Sequence, residues 1–149
     1  MKIVVDTNIV FSALLNSTGR IGTILFNSGG YFEFYSCKYL QKEMFSHFAK
    51  IQKHSKLSSN DLFELLNLIE RRIFFVDEDL LPKETVVKAL ELVSDVDADD
   101  LAFVALNNHL NGLLWTGDKA LIRGLKQKNY QPVVTTFELS MILEKQGYS

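Results

Sequence analysis

The stretch S-D-V-D-A-D-D-L-A-F-V-A-L-N-N-H-L-N-G-L-L-W-T-G-D-K-A, residues 94–120, decides how this chain is expected to fold. Aspartates open an apolar helix pattern, predicted over Asp100–Leu110 and ended by Gly112. A short apolar strand, Leu113–Trp115, follows, and the turn T-G-D then places Asp118. An acid at the start of a helix and an acid after the next strand can meet at one edge of a sheet. The opening aspartates are Asp95, Asp97, Asp99 and Asp100.

The first apolar run of the chain supplies a further acid. Lys2–Val5 lacks polar alternation, as expected of a strand covered on both faces, and Asp6 follows it directly. Ligands of open α/β sheets bind at the carboxyl ends of the strands, so the two ends of the chain are expected to supply one site. Gathered carboxylates repel one another unless a cation or shared protons relieve the repulsion. The pattern therefore predicts a metal site.

Between these stretches, strand-like segments alternate with amphipathic helices. Tyr31–Ser36 and Ile73–Val76 are predicted strands, and Pro132–Val134 is the predicted last one. Such alternation predicts an α/β fold with a parallel sheet and right-handed crossovers. In the helix predicted over Lys83–Val93, the residues expected to face inward are Val86, Val87, Leu90 and Val93.

The bulk composition narrows the class of protein. With 149 residues and 47% hydrophobic composition, the chain is expected to be a single domain over residues 1–149. A lone cysteine, Cys37, excludes an internal disulfide and suits a reducing cytoplasm. No signal-peptide pattern opens the sequence, and no apolar run approaches the roughly 20 residues that span a bilayer. We therefore expect a soluble cytoplasmic protein without a membrane anchor.

The charge is distributed unevenly along the chain, although the net charge is only −2. Residues 1–56 carry seven Lys/Arg and three acids, residues 57–100 four and twelve, and residues 101–149 five and three. A phosphate-bearing partner would meet the basic flanks while the acidic segment holds cations. Lys119 and Arg123, on a helix that also carries Lys126 and Lys128, are candidate RNA contacts; a solvated helix face explains them equally well.

Four acids are the candidates for chemistry: Asp6, Glu43, Asp100 and Asp118. An oxygen-rich, sulfur-free cluster favours Mg²⁺ or Mn²⁺, which bind a few carboxylates and keep waters for the substrate. Such an ion can activate a water for attack on a phosphodiester. Each acid also has a purely structural interpretation: Asp6 and Asp100 as helix-start residues, Glu43 as an exposed helix acid, and Asp118 as a turn residue.

These residues carry a resemblance to a known family. M-K-I-V-V-D-T-N-I-V at residues 1–10, a midchain acid on a helix, D-D-L-A-F-V-A at 99–105 and T-G-D at 116–118 together resemble the PIN-domain nucleases, in order and over nearly the whole chain. The similarity is strongest to the branch that contains toxins of bacterial toxin–antitoxin pairs. The resemblance implies a three-layer α/β/α sandwich with a central, mostly parallel sheet. It also implies a Mg²⁺- or Mn²⁺-dependent endoribonuclease, often a homodimer, that is neutralised by a cognate antitoxin.

The resemblance assigns roles residue by residue. Asp6, Glu43 and Asp100 match the first, second and third acids of the family, and Asp118 matches the acid of the T-x-D turn. Thr116 and Asn8 match supporting polar positions. Whether Asp97 and Asp99 also ligate the metal stays open. Asn107 departs from the family pattern, because many relatives have a small apolar residue there.

Two other functions are compatible with parts of the pattern. A non-catalytic PIN-like module would bind RNA or protein without cutting, but such modules usually lose one or more acids, and all four are present here. A haloacid-dehalogenase-like phosphatase would need a second acid two residues after its nucleophile, where this chain has Asn8, and an acid where it has Ile122. Of the remaining candidates, His47 is expected at the surface, Trp115 in the core, and Cys37 in a structural role.

Overall fold

A five-stranded sheet with every strand parallel to its neighbours forms the centre of the molecule. The computed structural model describes residues 1–94 and 97–147, apart from the side chain of Ala98. The strand order is β3-β2-β1-β4-β5. The strands are β1 (Lys2–Val5), β2 (Glu33–Cys37), β3 (Ile73–Val76), β4 (Leu113–Trp115) and β5 (Val133–Val134).

Helices cover both faces of this sheet. Contacts join α1 to α2, α3 and α4, and α2 to α8; on the opposite face, α5 contacts α6 and α7. The expected α/β/α sandwich with a mostly parallel sheet is confirmed. Short 3-10 turns at Glu78–Leu80 and Ala98–Asp100 precede α5 and α6. The helices are α1 (Thr7–Leu15), α2 (Arg20–Asn27), α3 (Lys38–His54), α4 (Ser59–Arg71), α5 (Lys83–Val93), α6 (Leu101–Leu110), α7 (Lys119–Gln127) and α8 (Thr136–Lys145).

The inner strands are apolar because helices bury both of their faces. Ile3, Val4 and Val5 of β1 are fully buried, as are Leu114 and Trp115 of β4. β1 lies in the middle of the sheet, where it pairs with β2 on one side and β4 on the other. The carboxyl end of β1 is therefore the central point of that edge of the sheet, and Asp6 occupies it.

Two local predictions were wrong in part. In α5, Val93 is buried and Val86 partly buried, as predicted, whereas Val87 is 50% exposed and Leu90 45% exposed. Apolar residues occur on more than one side of this helix, so the sequence pattern did not fix its rotation. In addition, α6 ends at Leu110, as predicted, but the residue that closes it in the left-handed conformation is Asn111, with φ 52°, and not Gly112.

Gly112 is required by a close approach between two elements. A Cβ atom at this position would lie 2.9 Å from the Lys2 backbone oxygen and 3.1 Å from Asn107 Oδ1. Because real Cβ contacts are longer, any side chain would push β4 away from the start of β1. The left-handed conformation is therefore adopted by Asn111, because asparagine tolerates it.

No single helix in residues 1–94 and 97–147 has the length and apolar composition needed to cross a membrane. Only α1 and α2 taken together, with a bend of 106° between them, meet that requirement by length and composition.

Candidate active site

Asp6 and Thr116 are brought together by the pairing of β1 with β4. Val5 is opposite Trp115 in the ladder, and each of the two polar residues directly follows its strand. The Thr116 hydroxyl donates a 2.6 Å hydrogen bond to Asp6 Oδ2, although 110 residues separate the two in the chain. Both side chains are buried, at 4% and 0% exposure. Parallel pairing therefore joins the two ends of the chain at one point.

Burial raises the pKa of Asp6 above its ordinary value. The Thr116 hydroxyl and the backbone N–H groups of Thr7 and Asn8 favour the charged form and offset part of this effect, while the nearby charge of Glu43 adds to it. Asp6 is thus a carboxylate that the fold holds in an unfavourable setting for a negative charge.

Glu43 reaches the same region from the middle of α3. The Thr7 hydroxyl donates a 2.6 Å hydrogen bond to Glu43 Oε1. Since Thr7 immediately follows Asp6 in the chain, this bond fixes the carboxylate of Glu43 beside the first acid. Glu43 is partly buried, and its charge contributes to the raised pKa of Asp6.

Asp118 begins α7 at the end of the T-G-D turn. Its Oδ1 accepts from the backbone N–H groups of Ala120 and Leu121 at 3.0 and 3.1 Å, and its own N–H donates to the Thr116 hydroxyl at 3.1 Å. Asp118 was expected as a turn residue, and the structure shows that its side chain also caps α7. This cap occupies one carboxylate oxygen, and the charge of Asp118 still acts on Asp100.

Asp100 is the most perturbed acid of the group. It ends the 3-10 turn before α6 and is 9% exposed, and its Oδ2 is buried without a hydrogen-bond partner in the described part of the chain. Burial raises its pKa to about 7, helped by the charges of Asp6, Asp97, Asp118 and Asp99. A buried polar oxygen without a hydrogen-bond partner in the protein usually binds an ion or a water molecule.

Asp97 and Asp99 are engaged in local hydrogen bonds. Asp97 Oδ1 accepts from the Asp99 backbone N–H at 2.9 Å, and the Asp97 backbone oxygen accepts from Asp100. Asp99 Oδ1 accepts from the Tyr39 hydroxyl at 3.3 Å. Of the acids between residues 97 and 100, Asp100 is therefore the one with an unused buried oxygen. Asp95, also noted in the sequence, lies outside the described residues.

Comparison with known protein families decides the classification. The family model of the PIN domain matches residues 4–138, which covers most of the chain. The chain belongs to the PIN-domain family. PIN domains are generally nucleases that depend on divalent metal ions.

A solved structure shows the same fold. A chain of the crystal structure of VapBC2 from Rickettsia felis, bound to a DNA fragment from its promoter, superposes with a TM-score of 0.62 at 15% sequence identity. The match covers 91% of this PIN domain and 97% of that chain. No curated protein matches the chain in sequence.

The acids of this PIN domain fit a divalent cation in their chemistry. Within residues 1–94 and 97–147, no three His, Cys, Asp or Glu side chains form a ready-made coordination group. The unpartnered Asp100 oxygen and the oxygen-only donor set nevertheless suit Mg²⁺, which takes one or two carboxylates and retains several waters. Asp6 and Asp100, the two buried acids, are the residues that would hold it. Their role as ligands stays a prediction.

The other predicted residues occupy varied surroundings. Asn8, Lys119 and Arg123 are exposed. His47 is exposed and packs edge-on against Phe11, with ring centroids 5.8 Å apart. Trp115 is buried, and its indole N–H donates to the Thr136 hydroxyl at 3.0 Å.

Cys37 lies in the core, where burial and the neighbouring Glu78 raise the pKa of its thiol to about 12. Such a thiol stays protonated, so the expected structural role fits its surroundings.

Sequence reasoning missed two residues that contact the acids, Thr7 and Tyr39. Thr7 was not among the candidate residues, yet its hydroxyl donates a hydrogen bond to Glu43. Tyr39 lies four residues before Glu43 on α3, a spacing that places both on one helix face and could have drawn attention to it. Its hydroxyl contacts Asp99 and its ring packs against Phe103, with centroids 6.2 Å apart.

Proposed function

We propose that this PIN domain, as a single domain over residues 1–149, is a Mg²⁺- or Mn²⁺-dependent endoribonuclease of the cytoplasm and the toxin of a toxin–antitoxin pair. The observation that supports the proposal is the pair of buried acids Asp6 and Asp100 after the sheet's carboxyl edge, of which Asp100 has a buried oxygen without a hydrogen-bond partner in the described part of the chain. The Thr116–Asp6 and Thr7–Glu43 hydrogen bonds, and the mutual electrostatic effects of these acids, support it.

Each residue has a separate task in the proposed reaction. A divalent ion bound here would supply an activated water and neutralise charge on the phosphate. Asp6 and Asp100 would hold the cation, and Thr116 fixes the orientation of Asp6 through its 2.6 Å hydrogen bond. Thr7 fixes the orientation of Glu43 through its own hydrogen bond. In this proposal Glu43 lies on the side of the site where the attacking water would be. Such supporting hydrogen bonds set ligand geometry and basicity.

The RNA strand is proposed to continue over the start of α7. Lys119 follows Asp118 directly, and Arg123 lies one turn further on the same helix. Both are exposed, and cations at this place would contact the phosphates next to the cleaved bond.

A protein partner is proposed to cover the groove between α3 and α4. Phe45 is 89% exposed and Phe63 56% exposed, and with Phe48 they line an open groove of about 480 Å³. Exposed apolar groups gathered in this way mark interaction surfaces. The R. felis structure of the same fold is a VapBC complex, so the partner proposed here is an antitoxin. Self-association of the toxin is the second role proposed for this surface.

The test of the nuclease proposal is cleavage of a single-stranded RNA in the presence of Mn²⁺ by wild type and by Asp6→Asn. We expect wild type to cut and the variant to lose at least 100-fold in rate while it remains folded by circular dichroism. Asp61→Asn, which removes an exposed acid from α4, is the matched control and should cut normally. Equal cleavage by Asp6→Asn and wild type would refute the proposal.

The alternative, a binding module without catalysis, makes a different prediction for metal binding. A calorimetric titration with Mn²⁺ should give a binding isotherm for wild type if the acids serve catalysis. An absence of binding at millimolar Mn²⁺ would favour the non-catalytic module.

A further inference from the structure

An open cleft of about 470 Å³ adjoins the acids on the side of β2 and β3. Since all strands are parallel in the order β3-β2-β1-β4-β5, the segments that follow them lie along one edge in that order. The cleft is formed by the segments after β2 and β3 and by the start of α6. Its lining residues are Lys38, Tyr39, Lys42, Asp77, Glu78, Asp79, Asp99, Leu101 and Ala102.

The charges in this cleft oppose a phosphate group. Its lining has four carboxylates and only two ammonium groups, and Lys38 is already paired with Asp77 at 3.6 Å. A polyanion crossing the edge would therefore keep its phosphates outside, near Lys42 on the exposed surface of α3. The group that suits the interior is uncharged and rich in hydrogen-bond donors.

Tyr39 supplies a flat apolar surface in the same cleft. Its ring is partly buried beside Phe103, and its hydroxyl is held by Asp99, so its position is fixed from two sides. Nucleic-acid bases stack on aromatic side chains of this kind, and each stack contributes substantially to the binding of single strands.

The carboxylates of the acidic loop differ in what they already bind. Glu78 Oε2 accepts from the Tyr39 backbone N–H at 2.9 Å, Asp77 pairs with Lys38, and Asp99 accepts from the Tyr39 hydroxyl. The exposed carboxylate of Asp79 has no hydrogen bond or ion pair within residues 1–94 and 97–147. A carboxylate can only accept, and the exocyclic amino group of a base is its natural donor.

We infer that this cleft is a base-binding subsite for the nucleotide beside the cleaved phosphodiester, with Tyr39 stacking on the base and Asp79 accepting from its amino group. Cytosine, adenine and guanine carry such an amino group, whereas the only base donor of uracil is its ring N3–H, which lies between two carbonyl oxygens that the carboxylate repels. The subsite therefore favours the amino-bearing bases over uridine. The inference rests on the proposed function for its substrate and adds the base preference. Tyr39 and Asp79 are specificity-determining residues in this account.

The test compares the binding of fluorescein-labelled rC and rU hexanucleotides by fluorescence anisotropy. Ca²⁺ replaces Mn²⁺ in this assay so that binding is measured separately from cleavage. Wild type should bind the rC oligonucleotide at least fivefold more tightly than the rU oligonucleotide. Asp79→Asn, whose amide can also donate to uracil oxygens, should reduce this ratio to near one. Asp61→Asn is the matched control and should keep the wild-type ratio.

Tyr39 variants separate stacking from the hydroxyl contact. Tyr39→Phe keeps the ring and its packing but loses the hydroxyl contact, so it should bind rC more tightly than Tyr39→Ala, which should weaken binding at least fivefold. Where cleavage is measured, Tyr39→Ala should raise KM and leave kcat within a factor of three.

Failure of the inference and failure of the nuclease proposal look different. Equal binding of rC and rU by wild type, or an unchanged ratio in Asp79→Asn, overturns the base subsite even if RNA is cleaved. A protein that prefers rC but does not cleave retains the subsite and refutes the nuclease. If neither oligonucleotide binds and an Arg-rich peptide does, the cleft is a protein site and the inference is wrong.

Discussion

Asp100 links the geometry of the site to the stability of the protein. Its carboxyl is buried among other acids, and its pKa is raised to about 7. In an unfolded chain an aspartate titrates near pH 4, at about 3.9. Between these values the folded state binds more protons than the unfolded state, so the free energy of unfolding falls as pH rises. Asp6, whose pKa is also raised, acts in the same direction.

Asp100→Asn is therefore expected to stabilise the metal-free protein at pH 8. The substitution removes one charge from a group of repelling carboxylates. The rise of the pKa from about 3.9 to about 7 sets an upper limit of about 4 kcal/mol on the gain, since one pKa unit corresponds to about 1.4 kcal/mol. Urea unfolding in EDTA at pH 5 and pH 8 measures the effect. The free energy of unfolding should fall more between pH 5 and pH 8 for wild type than for the variant. Equal falls for the two proteins would show that the charge of Asp100 is not the cause.

Thr116 is the residue that most directly orients an acid of the site. Its hydroxyl donates to Asp6 Oδ2 and accepts from the Asp118 backbone N–H. Thr116→Val keeps the shape but leaves both partners unsatisfied, so we expect a loss of about 1 to 2 kcal/mol in stability. Cleavage should fall roughly 10- to 100-fold, as for other residues that support metal ligands.

The matched variant for this position is Thr116→Ser, which retains the hydroxyl and should restore most of the rate. If Thr116→Val and Thr116→Ser had the same kcat, the hydroxyl would have no part in orienting Asp6.

At the scale of single elements, the clearest sequence signals were correct and the ambiguous ones were not. β3 and β4 have the predicted bounds, because short apolar runs are enclosed by charged or turn residues. Asp6 and Asp118 could be placed since each follows a strand. The rotation of α5 could not be predicted, because Val87 and Leu90 suit a buried face as well as Val86 and Ala89 do.

The contacts that position the acids could not be predicted from the sequence for a related reason. The Thr7–Glu43 and Tyr39–Asp99 bonds join residues 36 and 60 positions apart. Each depends on how α3 is rotated against the segments after β1 and before α6. Periodicity identifies which residues share one face of a helix, but not which side chain of another element meets it.

The start of α8 offers a test at this scale. Thr135 and Glu138 form a capping box, in which each side chain binds the backbone N–H of the other residue. Thr135→Ala should cost about 1 kcal/mol, which for a protein of this size lowers Tm by roughly 2 to 4 °C. RNA cleavage should be unchanged, because the helix start lies outside the acid cluster.

Thr135→Ser keeps the cap and serves as the control. Trp115 contacts the adjoining Thr136, so its fluorescence reports unfolding near this helix. A Tm for Thr135→Ala that equals the Tm of Thr135→Ser would show that the cap contributes nothing measurable.

At the scale of the whole molecule, the exposed phenylalanines of α3 and α4 are expected to hold a protein partner. The double substitution Phe45→Ser and Phe63→Ser should abolish copurification with the proposed antitoxin while RNA cleavage persists. Leu80→Ser, at a residue 81% exposed in the acidic loop, is the matched control. Retention of the partner by the double variant would exclude this surface.

Sedimentation of this PIN domain alone distinguishes the second role proposed for the same surface. If wild type is a dimer and the double variant a monomer, the phenylalanines join two copies of the chain. If both sediment alike and only the copurification is lost, the surface belongs to the antitoxin.

The central claim is that acids far apart in the chain form one divalent-cation site at the carboxyl edge of the sheet. The most direct measurement is an anomalous difference map from crystals grown with Mn²⁺. We expect a strong peak at about 2.2 Å from a carboxylate oxygen of Asp6 and of Asp100, at the usual Mn²⁺–oxygen distance. Full Mn²⁺ occupancy elsewhere on the molecule, with no peak between these two residues, would contradict it.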